Sequence, residues 1–392
     1  MLTSLALIFL LGLVLGGIFT RFKLPSLLGM IFTGVILSPY ALNLLDDKLL
    51  AIAPELRQIA LVIILTRAGL SLDISDLKKV GRPAILMCFV PACFEILGVI
   101  LIGTFIFNMN LLDAAIMGSV IAAVSPAVIV PRMIRLIEEG YGKDKSIPQL
   151  ILAGASVDDV FVIVLFTAFT GLAAGNRISA GSFIQIPIAI LLGILLGIMS
   201  GGILTLFFKK IHMRDSVKIL VILSVSFLLL EIETRLEGII PVSGLLAIMS
   251  MGIMLKRTYN VLAQRISMKY NKLWVAAEVL LFVLVGATVD INYALMAGGK
   301  ALVIVIGALL IRMVGVFVCL LKTKLTTRER LFCMMAYTPK ATVQAAIGSI
   351  PLTMGLECGQ TVLTVAVVAI LITAPFGAIC VDNSYRKLLS KS

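Results

Sequence analysis

The sequence predicts an all-α, polytopic membrane protein, and three observations carry that prediction: composition, the length of the apolar runs, and the side on which the basic residues fall. Of 392 residues, 60% are apolar or aromatic and 14% are Asp, Glu, Lys or Arg, against roughly 25% charged in a soluble globule. Apolar segments repeatedly exceed the roughly 17 to 25 residues that cross a hydrocarbon core as a helix. Cutting the chain at charge clusters and Pro, Gly or Asn turns gives thirteen spans: 2–20, 25–45, 54–73, 83–107, 112–137, 147–173, 187–209, 216–234, 240–256, 273–290, 300–321, 328–354 and 360–381. The first run, Leu2 to Phe19, has no basic stretch before it and no small-residue cleavage site, so it reads as a retained span rather than a signal peptide.

The net charge of +12 would suggest nucleic acid in a soluble domain. Here it is topological. Connections after odd-numbered spans, with the C-terminal tail, hold 25 of the 33 Lys and Arg, while the other side holds five (Lys48, Arg57, Arg177, Arg235 and Lys300). Since the basic side faces the cytoplasm, the N-terminus is expected outside and the tail, 382–392, inside. No nucleic-acid partner is expected. The six cysteines show no CxxC or Cys/His spacing, which argues against a disulfide framework or a zinc site.

An internal repeat organises the spans. At an offset of 217, Gly69, Asp73, Ile74, Gly81 and Ala84 meet Gly286, Asp290, Ile291, Gly298 and Ala301, and Glu95-x-x-Gly98 meets Arg312-x-x-Gly315. With small gaps, Ser125-Pro126 matches Thr338-Pro339, and Pro25 matches Pro241. Two six-span units thus flank span seven, and because matched spans are seven apart the units have opposite orientation. Inverted-topology repeats are a mark of secondary transporters.

Six ionisable residues stand out inside the spans: Arg67, Glu95, Asp158, Asp159, Arg312 and Lys340. Each would cost roughly 2.5 to 3.5 kcal/mol at a helix centre if unpaired, so they should face one another or a polar cavity. Asp158 and Asp159 lie about twelve residues into span six, at 1.5 Å per residue close to the bilayer midplane. Adjacent helical residues point about 100° apart, so one carboxylate can face a cavity while its neighbour faces a base. A midplane carboxylate in low dielectric holds either a proton or a hard cation. Such mutually exclusive occupancy is the chemistry of antiport. Pro126 and Pro131 in span five, with Pro339 in span twelve, predict broken helices at matched repeat positions, where half-helix ends attract ions. Lys340 follows Pro339 directly and could cap helix carbonyls or pair with Asp158.

At VSPAVIVP (124–131), the loop GYGKDKSIPQL, ASVDDV (155–160) and PKATVQAAIG (339–348), the sequence resembles the monovalent cation/proton antiporter superfamily, most closely its NHA-type sodium/proton exchangers. The resemblance implies a fold with two crossed broken helices, and a mobile core of 83–173 and 300–381 that carries the ion site. It further implies scaffold and dimerisation helices at 2–73 and 216–290, a linker helix at 187–209, and a homodimer in a cell membrane, the bacterial inner membrane being expected. It makes Asp159 the main ion-binding and proton-carrying carboxylate, with Asp158 beside it and Ser125, Thr338 and Lys340 in support. It also implies, with their matched repeat positions, that Glu95 and Arg312 form a structural ion pair. Electrogenic members of the superfamily carry Lys where this chain has Arg312, and arginine does not release its proton.

The expected function is exchange of Na⁺ or Li⁺ for H⁺ by alternating access, electroneutral, without a cofactor. Symport of an anionic solute bound by Arg312 and Lys340 is one alternative. An intramembrane aspartyl protease is the other, although its two carboxylates should come from two helices. Gly193, Gly197 and Gly201 predict close packing of span seven within the protomer. His212 reads as a solvated loop residue, Tyr270 and Trp274 as interfacial anchors, and Arg67 has no evident partner.

Overall fold

The computed structural model describes residues 1–71, 81–174, 180–236, 240 and 242–391. Asp73, Ile74 and Pro241 of the repeat alignment, and Lys78, Lys79 and Arg177 of the charge count, lie outside the described residues. Among those described, the chain is helical and has no strand. Among the described residues, eight helical stretches are long and apolar enough to cross a membrane: Leu2–Arg21, Arg82–Phe107, Leu111–Glu139, Ile147–Ala173, Ile188–Lys210, Asn260–Ala287, Met296–Cys319 and Gly359–Leu388. The protein is therefore multi-pass. The remaining predicted spans are helical but shorter or more charged, as in Ser26–Leu37, with twelve residues, and Asp215–Leu236, which ends in Glu231, Glu233 and Arg235.

The chain divides into two compact units, the first comprising Met1–Pro54, Asp73–Val162 and Leu281–Ser392, the second Glu55–Leu72 and Ile163–Leu280. In the first, α1 (Leu2–Arg21) packs on α2 (Ser26–Leu37), followed by the short α3 (Asp47–Ala51) and the start of α4 (Ala53–Ser71). Next come α5 (Arg82–Met87), α6 (Val90–Phe107), α7 (Leu111–Ile121), α8 (Pro126–Glu139) and α9 (Ile147–Ala174). After the second unit's helices, α10 (Ala180–Lys210), α11 (Asp215–Leu236), α12 (Gly244–Thr258) and α13 (Asn260–Ala287), the chain returns through α14 (Ile291–Cys319). It ends with α15 (Thr327–Ala336), α16 (Thr342–Ile347), α17 (Ile350–Thr353) and α18 (Gly359–Leu388).

Two helices of the first unit are broken near their middles, each for a proline-based reason. α7 stops at Ile121 and α8 starts on Pro126, which has no N–H to give a preceding turn and holds Ser125 extended at φ −87, ψ 110. Pro126 thus opens a helix, at the position where proline is favoured. Pro131, expected at a break, lies inside α8, which continues through it. α15 begins with a capping box between Thr326 and Glu329 and ends at Ala336, and the chain stays non-helical through Pro339 until α16 starts at Thr342. A salt bridge of 2.8 Å from Lys145 to Glu329 ties the loop after α8 to this cap. Beneath the breaks, α5, α8, α9, α14, α15 and α18 share an apolar core that includes Met87, Ile129, Ile151, Val316, Phe332 and Val381.

In the second unit α10 lies against α12 along a glycine face. Gly193, Gly197 and Gly201 set their backbone so close to the carbonyls of Ser243, Ala247 and Met251 that an added Cβ would collide with them. Span seven therefore uses its small residues for packing within the protomer. Gly197→Ala should lower the Tm of the solubilised protein, by about 1 to 3 kcal/mol of overpacking. Gly202→Ala, whose Cβ would meet nothing within 4 Å, should leave it unchanged or raised. Equal shifts in both would contradict this packing.

Two expectations need correction in this unit. Tyr270 and Trp274 are 0% and 6% exposed, so they are core residues; α13 begins at Asn260, which places both well inside a long helix rather than at its mouth. Arg67 has an acid in range after all: Glu278 on α13 acts on it electrostatically, with no ion pair within 4 Å between them. The cysteines are free, and burial pushes the Cys358 thiol, in the turn before α18, up to about 12. No thiolate forms there at neutral pH.

Candidate ion-binding site

The two breaks meet, and their loose backbone groups are satisfied by each other and by buried side chains. Ser125 donates its N–H to the Pro339 carbonyl at 2.7 Å. The carbonyls left over at the end of α7 would otherwise be orphaned in a dry interior. Gln344 donates to the Ile121 and Ala123 carbonyls at 3.3 and 2.8 Å, while Arg312 donates to the Ala122 carbonyl. From the second break, the Tyr337 carbonyl accepts from Arg312 Nε at 3.0 Å, and Lys340 N–H bonds Thr373 Oγ1 at 2.9 Å.

Four charges form one buried network here. Arg312 on α14 reaches Glu95 on α6 at 2.9 Å and Asp158 on α9 at 2.8 Å; Lys340 ion-pairs with Glu95. Asp158 Oδ2 also accepts the Val124 N–H at 2.9 Å. The suggested Asp158–Lys340 pair is not formed: the Arg312 guanidinium, with its fork of donors, takes Asp158 and Glu95 together, and Lys340 shares Glu95 Oε2 with it. Glu95, Asp158, Arg312 and Lys340 are each no more than 1% exposed, so the desolvation of every charge is offset only by the others.

Asp159 stands apart. It makes no ion pair among the described residues, and its Oδ1 is buried without a protein hydrogen-bond partner. Asp158 Oδ1, Ser125 Oγ, Thr342 Oγ1 and Gln344 Oε1 share that condition. Unpartnered buried oxygens suit a hard cation or water, either of which restores what burial removed. No cluster of three His, Cys, Asp or Glu that could hold a resident metal occurs among the described residues. The Thr338 hydroxyl bonds the Met335 carbonyl at 2.8 Å and so serves the end of α15.

The sequence reading picked out Asp158, Asp159, Glu95, Arg312, Lys340 and Ser125, but missed Gln344 and Tyr337. Tyr337 places its ring 5.5 Å from the Arg312 guanidinium as well as lending its carbonyl. A lone polar side chain in the apolar stretch TVQAAIG was the available signal for Gln344. Nothing but the break itself marks Tyr337.

Broken helices whose ends are neutralised by buried side chains, on a multi-pass helical fold, define a membrane transporter rather than an enzyme. The chain belongs to the sodium/hydrogen exchanger family, whose description "Sodium/hydrogen exchanger, transmembrane" matches residues 5–382. It is 32% identical over 384 residues to sodium/hydrogen exchanger 9B2 of Mus musculus, covering 94% of this chain and 69% of that one. With sodium/hydrogen exchanger 9B1 of Homo sapiens it shares 30% over 352 residues, covering 86% and 67%. Its fold matches the solved structure of the sodium proton antiporter MjNhaP1 from Methanocaldococcus jannaschii at pH 8, with a TM-score of 0.86 at 22% identity over 99% of this chain and 98% of that one.

Proposed function

We propose that this antiporter exchanges Na⁺ or Li⁺ for H⁺, one for one, with Asp159 as the carboxylate that the two ions occupy in turn. One observation carries the reading. Glu95, Asp158, Arg312 and Lys340 neutralise one another as two acids and two bases, and Asp159 adds one further negative charge. Asp159 is part-buried, and a carboxylate whose Oδ1 is shut off from solvent without a protein partner calls for a counterion. A proton or one monovalent cation makes the site neutral, and both use the same oxygen, so binding one releases the other. The sequence count of three acids against three bases balances only because it includes Arg67 and leaves out Glu278, the acid that acts on it electrostatically.

Alternating access then needs only that the neutral, occupied site be the form that crosses. The residues named lie in 83–173 and 300–381, which supports these segments as the moving core, with 2–73 and 216–290 as scaffold and homodimer contact and 187–209 as linker. The thirteen-span inverted repeat is supported by contact reciprocity. Gly98 would meet Ile311 if given a Cβ, and Gly315 would meet Phe94; adding 217 to 98 and 94 gives 315 and 311. Glu95 and Arg312, also 217 apart, face each other between these contacts. The basic-side count supports an N-terminus outside and a cytoplasmic C-terminus. Anion symport loses its motivation, since both Arg312 and Lys340 are already engaged by carboxylates, and a protease dyad loses its geometry, since Asp158 is held by Arg312.

The test is transport by purified protein in liposomes with an internal pH dye, challenged with Na⁺, Li⁺, K⁺ and choline. Na⁺ and Li⁺ should drive proton movement and choline should not. Electroneutral exchange further predicts no Na⁺-dependent current on a solid-supported membrane, and flux indifferent to a valinomycin-clamped potential. Flux that follows the imposed voltage would require a second proton, carried by parting Lys340 from Glu95, and would overturn the one-for-one reading.

A further inference from the structure

Gln344 is the one amide inside the site, and its orientation is dictated by what surrounds it. Its Nε2 faces two backbone carbonyls, Ile121 O at 3.3 Å and Ala123 O at 2.8 Å. Carbonyls only accept, so the nitrogen must lie on that side and Oε1 on the other. Gln344 is 1% exposed, and that Oε1 is without a protein partner. An amide donating twice to the same short stretch of backbone acts as a clip.

The stretch it clips is the one that builds the site. Residues 122–125 are the non-helical link between α7 and α8. Within it the Ala122 carbonyl is held by Arg312, the Val124 N–H holds Asp158 Oδ2, the Ser125 N–H is fixed to Pro339, and the Ser125 hydroxyl is left open. Gln344 is the only side chain among the described residues seen to bond the carbonyls on both sides of Ala122. Without those donors, the Ile121 and Ala123 carbonyls would turn to seek others, carrying Val124 and Ser125 with them.

We propose that Gln344 is a positioning residue that sets cation affinity and the preference between Li⁺ and Na⁺, by fixing the 121–125 backbone and thereby the oxygens that share the cation with Asp159. Affinity for a hard cation depends on oxygens held at a set radius. A loosened link leaves the carboxylate in place but widens the ring, which penalises the smaller ion more. This rests on Asp159 being the exchange site, and the experiment separates the two claims.

The variants are Gln344→Met, which keeps length and loses both donors, and Gln344→Leu, which is shorter, adds no charge and also loses the donors. Each is reconstituted beside the parent protein and Asp159→Asn, and KM and kcat are measured for Na⁺ and for Li⁺. The expected result is a rise in KM of about tenfold or more for Li⁺, a smaller rise for Na⁺, and kcat within about threefold of the parent, in both variants. Thermal melts with and without Na⁺ provide the second readout, and the Na⁺-induced rise in Tm should shrink in both. Unchanged KM values and an unchanged Na⁺-induced shift would overturn the proposal, as would a loss confined to kcat. If Gln344→Met does not fold, Gln344→Leu decides by the same criteria. Should Asp159→Asn exchange like the parent, the site assignment itself fails, whatever the Gln344 variants do.

Discussion

Asp159→Asn should abolish cation-driven proton movement, reducing it to the level of protein-free liposomes, while leaving the protein folded. The substitution is nearly isosteric and breaks no ion pair among the described residues, and the Asp159 Oδ1 has no protein hydrogen-bond partner to lose. What it removes is the negative charge. The remaining network of Glu95, Asp158, Arg312 and Lys340 is already neutral, so an asparagine leaves nothing for either ion to neutralise. Two measurements check this together: the pH-dye flux, and a thermal melt in which added Na⁺ raises the Tm of the parent protein by binding only the folded state. The melt of the Asn variant should be indifferent to Na⁺. Exchange at the parent rate in that variant would remove Asp159 from the mechanism.

Arg312→Gln should be the most destabilising single change in the site. It strips the counterion from Glu95 and Asp158 at once, leaves Lys340 to serve both, and releases the Ala122 and Tyr337 carbonyls at the two breaks. Removing one partner of a buried pair costs about 3 to 5 kcal/mol, mainly by stranding the other charge. Glu95→Gln should cost less, because Arg312 keeps Asp158 and Lys340 keeps a weak bond to the Ala122 carbonyl at 3.4 Å. The double variant removes one charge of each sign, so its loss should fall short of the sum of the singles by about 0.5 to 3 kcal/mol. It should still lie below the parent, since two backbone carbonyls have lost their donor. Equilibrium unfolding of the three variants measures this, and additive losses would refute the coupling.

Much of this site is legible along the chain. Charges inside apolar runs are conspicuous because the bilayer makes them costly. The place of Asp158 and Asp159 well inside α9 follows from the apolar run around them, and the 217 offset picks out Glu95 and Arg312 before any contact is known. Ser125-Pro126 and Thr338-Pro339 mark both breaks, because proline acts on its own backbone and needs no partner to do so. Pro131 shows the limit of that rule: the same residue type, five positions on, is absorbed within α8.

What the chain does not carry is who pairs with whom. Periodicity fixes the direction and depth of a side chain on its own helix, whereas a salt bridge depends on the distance between helices, and that is set by packing. Lys340 could reach several acids by sequence, and only the meeting of the two breaks brings it to Glu95 while Arg312 takes Asp158. Glu278 escaped notice for the same reason: its position in the chain is unremarkable until α13 lies where Arg67 can feel it. Gln344 became a site residue only when the unwound carbonyls of Ile121 and Ala123 came within reach of its amide. Local chemistry wrote the charges and the breaks into the chain. The neutral network that isolates one carboxylate is a property of helices brought together, because only then do opposite charges stand close enough, in a medium dry enough, to cancel.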